Sequence, residues 1–152
     1  MSEATLESRI ARLEAESDIQ KLRYRYWFAI LDKNVDALVR CFTPDAFLEY
    51  GMGIELSGTD KIKEFFDMIL LSEDLALQMP RGANGIVNLT SDTTADGRWL
   101  VQVVMLRHSE KVGSRINVQY FERYEKIDGE WKIKAMKNDY LSYENIDPRD
   151  GP

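Results

Sequence analysis

The residues of this sequence best placed for acid–base chemistry are one aspartate and the aromatic cluster before it. Tyr24, Tyr26, Trp27 and Phe28 stand within five positions, and Asp32 follows where an apolar helical pattern runs out. A carboxylate is unfavourable at a helix C-terminus, where the macrodipole prefers a cation, so another purpose has to hold Asp32 there. Turned into an apolar interior, it would have a raised pKa and could move a proton at neutral pH. A phenol from Tyr24 or Tyr26 could donate a proton or steady an oxyanion beside it. Successive helical residues point about 100° apart, so these aromatics cannot all share one interior. Core packing is the competing account of the rings, and a solvent-facing turn carboxylate is the competing account of Asp32.

A second set of candidates comes from strands. In the last one Trp131, Ile133, Ala135, Lys137, Asp139 and Leu141 share a face by alternation, apolar at one end and charged at the other. If that face lines an interior, Lys137 and Asp139 sit at its mouth with Arg107, where a cation could hold charge developing on a phenolate or enolate. A solvated ion pair is the plainer alternative. Trp27, Tyr50 and Asn117 complete the expected substrate-binding set, and Arg81, Asn84 and Arg115 are unranked polar neighbours. His108 is the only histidine. Alternation puts it with Leu100, Gln102 and Val104, away from Trp99, Val101 and Val103, as an exposed strand-end or subunit-contact residue.

One histidine and one cysteine far apart offer no soft-ligand cluster, and no carboxylate spacing matches a calcium loop, so no metal site is expected. Gly82–Gly85 lacks the Lys-Ser/Thr of a phosphate loop. The chain has 152 residues, 44% of them hydrophobic, which suits one domain with a substantial core over 1–152. Its 20 Lys and Arg against 26 Asp and Glu leave a net charge of −6, which disfavours a nucleic-acid partner. Cys41 cannot form an intramolecular disulfide, and its apolar neighbours suggest a buried thiol. The charged N-terminus lacks the apolar core of a secretory signal, and no apolar run approaches the ~18 residues of a membrane span. A cytoplasmic location is expected.

The elements that must position these residues fall into two halves. Leu6, Ile10 and Leu13 mark a peripheral amphipathic helix within 1–16. After Ser17-Asp18, a plausible N-cap pair, a richer helix runs to Asp32-Lys33. Short helices are expected after Asn34 and after Gly58-Thr59-Asp60, with a strand from Ala46 to Tyr50 between them. Met79–Gly85, with Pro80, Gly82 and Gly85, reads as a loop. From Ile86 onward the period is two, with hairpin signals at Ala95-Asp96-Gly97 and Asp128-Gly129, and residues 144–152 read as a flexible tail. The whole is an α+β domain. A strongly curved, mostly antiparallel sheet closed by three N-terminal helices, with an extra amphipathic helix before them, would form a cone-shaped barrel suited to a small apolar ligand.

The runs Ile19-Gln20-Lys21-Leu22, Leu31-Asp32-Lys33, Asp36-Ala37-Leu38 and Cys41-Phe42-Thr43-Pro44-Asp45-Ala46 resemble the opening of a SnoaL-like domain of the nuclear transport factor 2-like superfamily. Thr94 to Trp99 and Tyr124 to Ile133 resemble its two late hairpins. Within the superfamily the likeness is nearest to the bile-acid 7α-dehydratases, with scytalone dehydratase and hexachlorocyclohexane dehydrochlorinase further off. The resemblance implies a cofactor-free lyase, commonly a homotrimer, eliminating a leaving group inside an apolar cone. It also implies that Asp32 matches the family aspartate, that Trp27 stands where an aromatic hydroxyl is usual, and that Ala83 and Val103 occupy the positions of the catalytic histidine and its partner aspartate.

The function expected from residues and resemblance together is a cofactor-independent lyase acting on a hydrophobic aromatic or polycyclic molecule bearing a hydroxyl, in the catabolism of aromatic compounds. Asp32 with Tyr24 or Tyr26 would be catalytic. Loss of the His–Asp pair keeps open a retro-aldol carbon–carbon lyase releasing a small aldehyde such as formaldehyde from a lignin-derived diaryl compound. An isomerase, a cyclase or a non-catalytic ligand-binding domain also stays open. The outer sheet face, with Leu100, Gln102, Val104, Val118, Tyr120 and Tyr124, is the surface expected to carry a trimer or dimer.

Overall fold

A computed structural model describes residues 4–147. Helix α1 runs unbroken over Leu6–Leu31, with the Thr5 hydroxyl accepting the Ser8 N–H at 3.1 Å. No break occurs at Ser17-Asp18. The change of apolar register there marks a change of helix face, so the expected peripheral helix and the main helix are one element. Asn34 caps α2 (Val35–Val39) by accepting the Ala37 N–H, and α3 spans Thr59–Leu70.

Six strands form one mixed sheet: β1 (Phe42–Glu49), β2 (Glu55–Ser57), β3 (Leu75–Leu89), β4 (Thr94–Arg107), β5 (Gly113–Ile127) and β6 (Glu130–Ile146), in the order β2-β1-β6-β5-β4-β3. Among the described residues only β1 and β6 pair in parallel. The sheet has two edges, β2 and β3, and is not a closed barrel. Asp128 at φ 50° and Gly129 at φ 82° form the two-residue turn that suits the right-handed twist of the β5–β6 hairpin. Strand β6 extends through 144–146 of the expected tail, and 148–152 lie outside the described residues.

The expected loop over Met79–Gly85 is instead part of β3. Proline and glycine are tolerated because β3 is an edge strand, where the N–H that Pro80 lacks would face away from the sheet. Gly82 answers a packing need as well. A Cβ there would fall 1.7 Å from the indole of Trp27, which lies across the strand.

Directly opposed residues of antiparallel strands share a face, and that decides the two surfaces of the sheet. Trp99 opposes Tyr120, Val101 opposes Val118, and Gly97 opposes Glu122. Val118, Tyr120 and Tyr124 are therefore buried toward the helices, and the outer face expected to carry a trimer loses three of its six residues. Leu100 and Phe121 remain exposed on the outer face, beside two polar ladders. Gln102, Asn117 and Ser142 form one hydrogen-bonded ladder across three strands, and Arg98, Gln119 and Asp139 form another.

The core fills the space between α1, α3 and the concave sheet, with Ile19, Leu22, Tyr26, Ile30, Leu48, Ile62, Phe66, Leu75, Trp99, Tyr124 and Ile133 all buried. No helix among the described residues is long and apolar enough to cross a membrane.

Candidate active site

The interior is charged at its centre. Arg23 lies on the face of α1 that carries Ile19, Leu22 and Tyr26, so the helix directs its guanidinium at the sheet. Glu122 lies on β5 between Tyr120 and Tyr124, and the two-residue repeat turns all three side chains inward. Arg23 Nη1 and Glu122 Oε1 meet at 3.2 Å with both side chains 0% exposed.

Aromatic groups surround the pair. The guanidinium lies over the rings of Tyr26 at 4.4 Å, Trp27 at 4.7 Å and Tyr120 at 5.3 Å. Trp99 Nε1–H donates to the Tyr124 hydroxyl at 2.9 Å, and the Tyr124 hydroxyl donates to Glu122 Oε2. The Tyr50 ring packs edge-on against Phe65 and Phe66, and its hydroxyl interacts with those of Tyr26 and Tyr120. Trp27 and Trp99 meet edge-to-face at 5.4 Å.

Burial shapes the ionisation of this cluster. Desolvation pushes the Glu122 carboxyl above its ordinary value, opposed by Arg23 and the Tyr124 hydrogen bond. Burial alone would lower the Arg23 pKa, but Glu122 and the surrounding phenols outweigh it, and the guanidinium stays charged. Desolvation holds the hydroxyls of Tyr26, Tyr50, Tyr120 and Tyr124 well above the usual phenol value, so they keep their protons.

The polar valences here are not all met. The Arg23 nitrogens, Glu122 Oε1, Tyr26 Oη and Trp27 Nε1 have no well-aligned hydrogen bond, and neither do Gln78 Oε1 and Asn138 Oδ1 from β3 and β6. Arg23 and Glu122 face one another as an ion pair, and the nearby phenols and indole leave the pair further polar atoms to work with. Such an arrangement can accept a proton at Glu122, donate one from a phenol and hold an anionic oxygen against Arg23.

Several residues expected in the interior stand elsewhere. Asp32 ends α1 at the surface, its backbone N–H bonded to Phe28 O at 2.8 Å and its side chain exposed. The helix stops before its next inward position, so its last carboxylate faces water. Tyr24 is exposed because it lies about 160° around the helix from Tyr26. Tyr24 and Asp32 both line an outer groove of about 880 Å³ between α1, α2 and the β5–β6 turn, about two turns of α1 apart.

Lys137 and Asp139 also point outward. Ala135 opposes Arg123 and Ile133 opposes Tyr124, so Lys134 is an extra residue that reverses the phase of β6. Met136 and Asn138 take the inward positions, while Lys137 pairs with Glu49 at 3.5 Å and Asp139 with Gln119. Asn117 belongs to the outer ladder, and Arg107 pairs with Asp74 at 3.6 Å on the strand end. His108 is exposed, with its backbone N–H bonded to Asp74 O. Tyr26, Trp27 and Tyr50 are the expected site residues that do reach the interior.

Arg23, Glu122 and Tyr120 were missed. The signal was present: an arginine inside the apolar stripe of α1, and a glutamate at an inward position between two tyrosines in β5. A charge at a core position on each of two elements implies a buried pair.

Residues 11–137 match the family model of the SnoaL-like domain, and the chain belongs to that family. Solved structures share the fold across nearly the whole length. A provisionally named scytalone dehydratase from Novosphingobium aromaticivorans is similar at 18% identity and a TM-score of 0.84, covering 95% of this chain and 99% of the other. A type 2 hexachlorocyclohexane dehydrochlorinase, LinA, is similar at 18% identity and a TM-score of 0.82, over 91% and 93%. A provisionally named aromatic ring hydroxylase from the same Novosphingobium reaches 22% identity and a TM-score of 0.76, over 95% and 96%.

Proposed function

We propose that the chain is a cofactor-independent lyase of the dehydratase kind, acting within the cone on a hydrophobic, hydroxylated small molecule. The observation that carries this reading is the fully buried Arg23–Glu122 ion pair, ringed by the protonated phenols of Tyr26, Tyr50 and Tyr120. Similarity in fold to structures named as a dehydratase and a dehydrochlorinase supports it.

In this mechanism Glu122, not Asp32, is the base. Its carboxylate takes a proton from the carbon next to the one bearing the hydroxyl, and the C–H electron pair becomes the new double bond as the C–O bond breaks. Tyr26 protonates the departing oxygen, which leaves as water, and Arg23 holds the negative charge developing between them. The proton on Glu122 then returns to Tyr26, restoring both groups.

The second reading is carbon–carbon cleavage. It is favoured by a site built from a carboxylate and phenols, with His108 outside it. There Glu122 would take the proton of a substrate CH₂–OH group, the C–C electron pair would pass into a carbonyl conjugated with the remaining carbon as formaldehyde leaves, and that carbon would then take the proton back from Glu122.

The test is incubation with hydroxylated aromatic and steroid-like compounds without added cofactor. Ultraviolet absorbance reports new conjugation, and a formaldehyde assay distinguishes the two reactions. Glu122→Gln should reduce turnover at least a hundredfold with the fold retained by circular dichroism, while Asp32→Asn should stay within about twofold of wild type. Full activity in Glu122→Gln, or loss in Asp32→Asn, rejects the assignment.

A further inference from the structure

Helix α1 is apolar on two opposite faces. One face buries Ala15, Ile19, Leu22, Tyr26, Ala29 and Ile30 in the core. The other carries Leu6, Ile10, Leu13, Tyr24 and Phe28, all exposed, Leu6 at 69% and Phe28 at 62%. At about 100° per residue these five fall within about 60° of one another, opposite the core face. A helix that packs on only one side would be polar there.

Two further features lie on the same line. No residue of α1 before Ala15 is buried, so its first two and a half turns, roughly, project as an arm. The 880 Å³ groove flanks the other end of the stripe, with Lys21, Tyr24, Arg25 and Phe28 on one wall and Arg40 and Lys132 on the other. Neither Arg25 nor Arg40 has an ion-pair partner among the described residues.

The seam runs through positions 6, 10, 13, 17, 20 and 24, polar at its middle with Ser17 and Gln20, in alternating steps of four and three that average 3.5 residues, the spacing by which one helix packs along another. Its flank is acidic in the first half, at Glu7, Glu14 and Asp18, and basic in the second, at Lys21 and Arg25. A parallel partner would leave each arm outside the groove. An antiparallel copy lays this flank against its own reversed counterpart, acid beside base, and brings each arm to the partner's groove.

We propose that the chain forms a two-fold dimer through antiparallel packing of α1 on α1 of a second copy, with Ser17 near the axis. Leu6 then meets Phe28 of the other copy, Ile10 meets Tyr24, Glu14 meets Lys21, and Glu7 comes near Arg25. Each arm lies in its partner's groove, which covers both the exposed stripe and the unpaired cations. The interface is isologous, as two-fold symmetry requires.

Sedimentation velocity on the full chain tests this. Wild type should sediment at twice its 17.6 kDa. Ile10→Glu/Leu13→Glu should be monomeric with unchanged circular dichroism, since both side chains are exposed. Glu14→Lys should weaken the dimer about tenfold, and Glu14→Lys/Lys21→Glu should recover it. In a Cys41→Ser background, Ser17→Cys should give a disulfide-linked dimer under mild oxidation. Monomeric wild type up to about 0.1 mM, an assembly of any size that ignores Ile10→Glu/Leu13→Glu, or failure of Ser17→Cys to cross-link would overturn the proposal.

Discussion

Arg23 of α1 and Glu122 of β5 meet at 3.2 Å with neither side chain exposed, and this contact joins the helical layer to the centre of the sheet. The two residues are 99 positions apart, so only the folded chain brings them together. Stability, ionisation and the proposed chemistry all depend on it.

Breaking the pair from either side should be costly, but unequally. Glu122→Leu leaves a guanidinium that cannot shed its proton, and should destabilise by about 3–5 kcal/mol. Arg23→Leu leaves a carboxyl that can protonate, and should cost less. The double variant Arg23→Leu/Glu122→Leu should be more stable than Glu122→Leu alone, because no buried charge remains. Urea denaturation of the three proteins measures this, and additive losses would show that the contact carries no coupling.

Titration of Glu122 should appear in both stability and rate. Its folded pKa is raised by burial above the ordinary 4.5. Its contribution to stability is therefore complete below the unfolded value and is lost as pH climbs through the folded one. Relative to Glu122→Gln, the wild type should lose stability across that window. Activity should move the other way, with the ascending limb of kcat/KM above the ordinary carboxylate range as the base form appears. Tyr124→Phe removes a hydrogen bond that favours the carboxylate, so it should shift the limb to still higher pH. An unmoved limb would detach Tyr124 from the base.

Gly82 should tolerate no side chain while Trp27 is present. The indole is held by the edge of Trp99 at 5.4 Å and by Arg23 above it, so it cannot yield to a methyl group 1.7 Å away. Gly82→Ala should cost about 1–3 kcal/mol, and Trp27→Phe should relieve most of that in the double variant. Thermal unfolding of the two proteins decides the matter. A neutral Gly82→Ala would mean that the ring is free to move.

Legibility differed between elements for physical reasons. The α3 stripe and the Asp128-Gly129 turn follow from local rules, and both stand where periodicity and turn chemistry place them. The β3 strand did not, since its proline and glycines read as a loop unless the strand is known to be an edge with a tryptophan lying across it. Alternation in β6 predicts the wrong faces from Ala135 to Tyr140, because the bulged residue Lys134 inverts the side chains after it until a second bulge at Leu141 restores the phase. That inversion moved Lys137 and Asp139 out of the site and brought in Met136 and Asn138.

By itself, the sequence determined the α+β class, the family, the helical and hairpin halves and the presence of phenols in the interior. Each is written in patterns a few residues long. Which carboxylate and which cation meet inside was decided only by tertiary structure. The last turn of α1 leaves Asp32 in water, while strand pairing turns Glu122 inward beneath Arg23, and a buried charge is tolerated only where its partner arrives from another element.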